Sequence, residues 1–237
     1  MSDPAIILCK KELKSYFDSP IAYIIITIFL LISGWFFFSD LFLVNQATLR
    51  NLFGIILFIF MFFIPAITMR LLSEEKKSGT IEILLTLPVK DHQIILGKFL
   101  AGMFLISLAV ILTLVYAFTL SGLGNLDFGS VVSGYLGLIL LGATYLSIGI
   151  FTSSLTQNQI VAFIISFMII FVLYLLDNVL IFMPGFLASV LEYLSVNYHF
   201  SNISRGVIDS RDVIYYLSLI FFFLFLAVRV LSSRKWR

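Results

Sequence analysis

Residues able to do chemistry are scarce in this sequence, and their densest group lies at residues 73–98. The stretch reads S-E-E-K-K-S-G-T-I-E-I-L-L-T-L-P-V-K-D-H-Q-I-I-L-G-K and holds Glu74, Glu75, Glu82, Asp91, Lys76, Lys77, Lys90 and Lys98. Charges of both signs at these spacings make ion pairs and polar contacts to a partner surface; they do not form a catalytic or metal-ligating pattern. The chain contains no G-x-S-x-G, no H-E-x-x-H and no paired acids inside its apolar runs. Gly97-Lys98 lacks the earlier glycine of a phosphate-binding loop, because His92 stands at that position. Cys9 is the sole cysteine, so an intrachain disulfide framework is excluded. The sequence therefore predicts no enzyme, and no cofactor or metal held by this chain.

The elements that must position this charged stretch are membrane spans. Of the 237 residues, 61% are hydrophobic and only 12% charged, and the mean hydropathy is +1.11. Soluble domains carry about 25% charged residues, so composition excludes that class. Six apolar runs, 21–44, 52–72, 94–120, 131–155, 160–183 and 213–231, reach the roughly 20 residues a helix needs to cross hydrocarbon. None alternates like a barrel strand, so backbone satisfaction in lipid requires helices. The fold class is all-α, a polytopic bundle in a single transmembrane domain over 1–237.

An even number of spans puts both termini on one side. That side holds residues 1–20, 70–98 and 229–237, with every lysine and arginine except Arg50, Arg205 and Arg211. The positive-inside rule makes it cytoplasmic. The net charge of +2 thus reflects lipid topology, and no nucleic-acid partner is expected. No cleavable signal is expected either, since the apolar run after Lys14 is too long for one.

Along the chain, residues 4–17 read as an interfacial helix, with Ile6, Ile7, Leu13 and Phe17 along one side and Lys10, Lys11 and Lys14 on another. Ser19-Pro20 breaks it before span 1. Trp35–Phe38 suits an aromatic belt or the lining of a groove, and Pro65 bends span 2. Span 2 continues through Glu74–Lys77 to a left-handed cap at Gly79. Thr80 then caps a short helix on which Ile81, Leu84 and Leu85 form a stripe beside Glu82. Pro88 ends that helix, and Asp91 caps span 3. Residues 73–93 form a loop whose apolar stripe calls for burial against something; the alternative is a solvated loop.

Span 4 carries small residues at four-residue spacing, Gly134, Gly137, Gly142 and Ser147 among them, which predicts an internal packing helix. Asp177 and Asn178 reach the far surface. Residues 184–212 form the longest outer segment; Phe186, Leu187, Val190, Leu191 and Leu194 recur there at helical spacing over a stretch too short to span, which predicts a re-entrant or interfacial helix, with Tyr198, His199, Arg205, Asp209, Arg211 and Asp212 as the segment's polar candidates.

The bracket E-E-K-K-S-G-T-I-E-I-L-L-T-L-P-V (74–89), followed by I-L-G-K (95–98), resembles the coupling loop of type-2 ABC exporter permeases. K-K-E-L-K-S-Y-F-D-S-P-I-A-Y (10–23), Q-N-Q-I-V-A-F-I-I-S (157–166) and Y-H-F-S-N-I-S-R-G-V-I-D-S-R-D-V-I-Y-Y-L-S (198–218) extend the likeness over nearly the whole chain. Within that family the chain most resembles the gliding-motility-associated permeases, the F subunit of the Gld system, and permeases of nitrous oxide reductase maturation.

The resemblance implies six helices per half-transporter, an elbow helix at 4–17, a cytoplasmic coupling helix and short outer helices between spans 5 and 6. It implies an inner-membrane exporter subunit and a separate ABC ATPase that binds ATP and Mg. It also implies a companion permease with an extracytoplasmic domain, or a second copy of this chain. Glu74, Glu75, Thr80, Ile81, Glu82, Leu84, Leu85 and Pro88 are its candidate ATPase-docking residues. The alternatives are a secondary transporter, for which no internal repeat is visible, and a non-transporting anchor of a gliding or secretion machine.

Overall fold

A computed structural model describes residues 3–44, 48–82, 88–124, 126–179 and 185–233. All regular structure among them is helical, and six stretches are long and apolar enough to cross a membrane: Pro20–Ser39, Arg50–Lys77, Asp91–Leu123, Phe128–Leu155, Gln159–Asp177 and Ser210–Ser233. Helix α1 (Pro4–Asp18) is capped by Asp3, whose carboxylate accepts from Ala5 N at 3.1 Å. Ser19 ends it in an extended conformation, and its hydroxyl accepts from Ile21 N to start α2 (Pro20–Val44). Proline suits this first helical position because its missing N–H has no intrahelical acceptor there.

Span 2 is not the continuous helix expected from the sequence. Helix α3 (Arg50–Thr68) ends one turn after Pro65, four residues of turn follow, and α4 (Ser73–Lys77) starts afresh. Ser153, on a helix far away in sequence, takes the backbone groups left at the break. Its hydroxyl accepts from Leu72 N and Ser73 N at 3.1 Å each and donates to Met69 O at 3.1 Å. Span 3 is likewise divided at Thr113 into α5 (Asp91–Leu112) and α6 (Leu114–Leu123). There the Tyr135 hydroxyl donates to Thr113 O at 3.0 Å.

Helix α7 (Phe128–Leu155) is the axis of the bundle, packing against α3, α5, α8 (Gln159–Val179), α10 (Val196–Ser204) and α11 (Ser210–Ser233). Its small residues are where neighbours come close. A Cβ at Gly142 would lie 2.9 Å from Ile106 Cγ2, and one at Gly137 would lie 3.1 Å from both Phe200 and Ile203. Side chains at Gly134 and Gly149 would overlap Phe53 and Thr68. Ser147 is fully buried and returns its hydroxyl to Thr144 O at 2.7 Å. Without a hydrophobic force between helices in lipid, this close approach is what dispersion contacts need.

Helix α9 (Gly185–Leu194) and α10 follow α8 at the opposite end from α1, as two short helices before α11. The bundle thus has one end carrying α1, residues 69–82 and 88–93 and the end of α11, and another carrying α9 and α10.

Candidate functional site

At the first end, the charged stretch divides into an outward part and an inward part. Glu82 and Thr80 are exposed, and Pro88 is exposed where the described chain resumes. Gly79 turns the chain with φ +73°, a left-handed conformation that glycine adopts without steric cost. Leu84 and Leu85 lie outside the described residues.

Three sequence expectations are corrected here. Ile81 is only 4% exposed and joins this chain's own core, so its apolar side chain is already buried. The Thr80 hydroxyl reaches back to Glu75 O at 3.4 Å, and the third residue of the helix it is expected to cap lies outside the described residues. Asp91 is the first residue of α5 rather than its cap, and its Oδ2 accepts from Ser232 on α11 at 2.9 Å; Gln93 Oε1 instead accepts from Lys90 N at 3.1 Å. Glu75 points inward: its Oε1 takes a hydrogen bond from Lys98 Nζ at 2.7 Å.

Lys98 is the centre of the inward part. It is 2% exposed and donates also to Glu12 Oε1 at 2.8 Å, so α1, α4 and α5 meet on one ammonium. A buried ammonium needs such partners, because its desolvation is otherwise uncompensated. The sequence carries a faint signal of this: Lys98 interrupts I-I-L-G-K-F-L-A with no acid three or four residues away on its helix, so its counter-charge must come from another element.

Close approach of α1 to α5 sets the geometry. A Cβ at Gly97 would lie 2.8 Å from Leu8 Cβ and 2.9 Å from Ala5 O. Beside the node, Arg70 Nε donates to Glu74 Oε2 at 2.8 Å, and Lys76 donates to Ser154 O. Burial and the Glu12 carboxylate both push the Cys9 thiol up, which keeps it protonated and a poor nucleophile.

The other end holds a second polar cluster, which brings together three of the outer candidates. His199, 1% exposed, approaches Asp212 Oδ1 through Nδ1 at 2.6 Å and Tyr193 O through Nε2 at 2.9 Å. Tyr215 stacks on its ring with centroids 3.9 Å apart, and Tyr198 meets it edge-on. The Tyr215 and Tyr216 hydroxyls donate to Leu194 O and Val196 O. These contacts clamp α9 and α10 onto α11.

Arg205 and Asp209 line a cleft of about 220 Å³ beside Asp212. Arg211 is exposed, and its backbone N–H donates to Asp209 Oδ1 at 2.9 Å. Asp177 Oδ2 accepts from Asn197 at 3.2 Å. Among the described residues, no three His, Cys, Asp or Glu side chains gather as a metal site.

The arrangement therefore places a charged, partly exposed loop at one end, braced on a buried ion node, with a rigid cap at the other and an apolar bundle between. Comparison with known proteins agrees with that architecture. A search of curated proteins finds no match, whereas the family model for ABC-2 family transporter proteins matches residues 6–200. Because that match covers most of the chain, this protein belongs to the ABC-2 transporter family, as a multi-pass membrane permease whose ATPase is a separate subunit.

Proposed function

We propose that this permease couples ATP hydrolysis on its ABC ATPase partner to export, through the 73–93 loop. The observation that carries this reading is the loop's two-sidedness. Glu82, Thr80 and Pro88 face outward at the end of the bundle, while Glu75, a few residues away, is fixed to Lys98 and through it to α1 and α5. A push on the outward side is thereby delivered to three helices at once, and ATPase closure shifts the bundle to whichever access state binds the closed ATPase better. The docking surface is then Glu74, Thr80, Glu82 and Pro88, with Leu84 and Leu85 from the adjoining segment; Glu75 and Ile81 serve it from beneath.

In this reading the 73–93 loop and both termini are cytoplasmic, the membrane is a bacterial inner membrane, and ATP and Mg are bound by the partner. Two permease halves, identical or with a companion bearing an extracytoplasmic domain, form one path. The likeness of residues 10–23, 157–166 and 198–218 to the gliding-motility permeases supports gliding motility as the process served, by substrate movement or by mechanical work.

Glu82→Lys combined with Leu84→Asp tests the docking role. Expected is loss of ATPase co-purification with normal membrane insertion; undiminished co-purification removes the role from this loop. Reporters fused after residues 77 and 202 are expected to read cytoplasmic and extracytoplasmic respectively, and the reverse pattern overturns the topology.

A further inference from the structure

Two buried polar atoms beside the Lys98 node make no hydrogen bond to any described residue: the Tyr16 hydroxyl and Glu75 Oε2. Both residues line one cleft of about 270 Å³, between the end of α1, the start of α2 and the 70–80 segment. Buried polar groups in native proteins are almost always bonded, so two orphans on residues of one wall leave hydrogen-bonding capacity that a turn of either side chain presents to an occupant of the cleft. The volume is several times the ~30 Å³ share of one water in liquid, which leaves room for a larger polar group. Lys11, Arg70 and Lys98 line the cleft with Glu12, Glu74 and Glu75. The signs balance, so the complementary ligand is a zwitterion rather than an anion.

Position identifies the source. The cleft lies where α2 begins and α3 has just ended, the level at which the two spans leave hydrocarbon. Ile6 and Ile7 of α1 are about half exposed, and Lys10 and Lys14 are exposed on the same helix, as befits a helix lying among headgroups.

The same face of α2 continues into an apolar groove of about 600 Å³. Ile21 of the cleft is followed by Ile25, Ile28 and Ile32 of the groove, and those spacings of three or four residues keep one face of the helix. Across the end of α3, Ala66 of the groove is followed in the chain by Arg70 of the cleft. A polar cleft one turn from an apolar groove, along one helix, has the shape of a headgroup with its chains.

We propose that this cleft binds an aminophospholipid of the adjoining leaflet, its primary ammonium donating to Glu75 Oε2 and its phosphate held by the Tyr16 hydroxyl, Arg70 and Lys11. The lipid's chains follow the α2–α3 groove. A trimethylated choline has no N–H to give Glu75, and a glycerol headgroup has no cation, so the site discriminates among headgroups of equal chain. Burial and the Glu12 carboxylate push the Tyr16 phenol up, so it remains a donor for the phosphate at physiological pH. The lipid acts as a resident wedge: it fills the angle between α1 and the 70–80 segment that the Lys98 node closes from the other side.

Native mass spectrometry of the purified full-length chain tests this, with phosphatidylethanolamine, phosphatidylcholine and phosphatidylglycerol of identical chains. One retained phosphatidylethanolamine is expected, held at least about fivefold over the other two, the factor that one lost hydrogen bond gives. Tyr16→Phe, which removes one oxygen and leaves the Lys98 node alone, is expected to lower retention roughly fivefold, and Glu75→Gln to abolish the preference over phosphatidylcholine. Equal retention of the three lipids, no retained lipid, or a Tyr16→Phe variant that binds like the parent overturns the proposal. Soluble phosphoethanolamine that displaces the lipid at equal concentration assigns the chemistry to a soluble ligand and overturns the lipid source.

Discussion

Replacing Lys98 by methionine isolates the node on which the coupling account depends. The substitution keeps an unbranched side chain of similar length in a position 2% exposed, and removes the one cation between Glu12 and Glu75. At 2.8 and 2.7 Å, each ion pair carries a Coulomb energy of about 6 kcal/mol at an effective dielectric near 20. Most of that is offset by the cost of desolvating Lys98, and the carboxylates keep 16% and 19% exposure, so water screens what remains. The measured cost of stranding a buried partner is about 3–5 kcal/mol, and the exposure of the acids places this case near 3.

The sign of a compensating change separates ion pairing from packing. Lys98→Met with Glu12→Gln and Glu75→Gln leaves no stranded charge, and it should recover at least half of the loss. Glu12→Gln alone should cost only about 1 kcal/mol, since Lys98 retains Glu75 and an amide oxygen. Unfolding of the purified chain in mild detergent reads stability, and limited proteolysis at Lys10, Lys11 and Lys14 reads release of α1. A Lys98→Met chain as stable as the parent, or a triple variant no better than the single one, would refute the reasoning.

Three further outcomes follow from the same geometry. Gly149→Val drives side-chain atoms into Thr68 and should cost about 1–3 kcal/mol, as overpacking does, whereas Gly122→Ala, where no atom lies within 4 Å, should be near neutral in the same unfolding assay. Asp212→Ala leaves His199 Nδ1 facing no carboxylate and should destabilise by about 1–3 kcal/mol, with faster proteolysis of residues 185–204 and unchanged ATPase association. The raised Cys9 thiol should react with a maleimide more slowly at pH 8 than an ordinary cysteine and gain rate only as pH climbs further, because the thiolate is the nucleophile; equal rates at pH 8 would contradict the raised value.

The bundle was legible in the sequence because lipid leaves little choice. Long apolar runs must be helices, Ser19-Pro20 stops one helix and starts the next, and the small residues of 134–149 mark the helix that others approach. What escaped is everything joined across sequence. The break at 69–72 is visible only once Ser153, eighty residues on, supplies both an acceptor and a donor there. Glu75 read as a surface acid because its partner Lys98 sits on another helix, and Glu12 completes the triad from a third. Ile81 fitted an outward stripe by periodicity, yet periodicity cannot say which neighbour covers a face, and the chain's own core covers it. His199 reads in the sequence as one polar candidate among several; its pairing with Asp212 depends on α10 folding back onto α11.

Transmission of a separate ATPase's work through the charged loop is tested directly by purification of the tagged full-length chain from its native host in mild detergent, with associated chains identified and ATP hydrolysis measured. An ABC ATPase subunit in the complex and Mg-dependent hydrolysis are expected, both lost in the Glu82→Lys, Leu84→Asp variant. Recovery of the permease alone, with no nucleotide hydrolysis, would contradict that transmission.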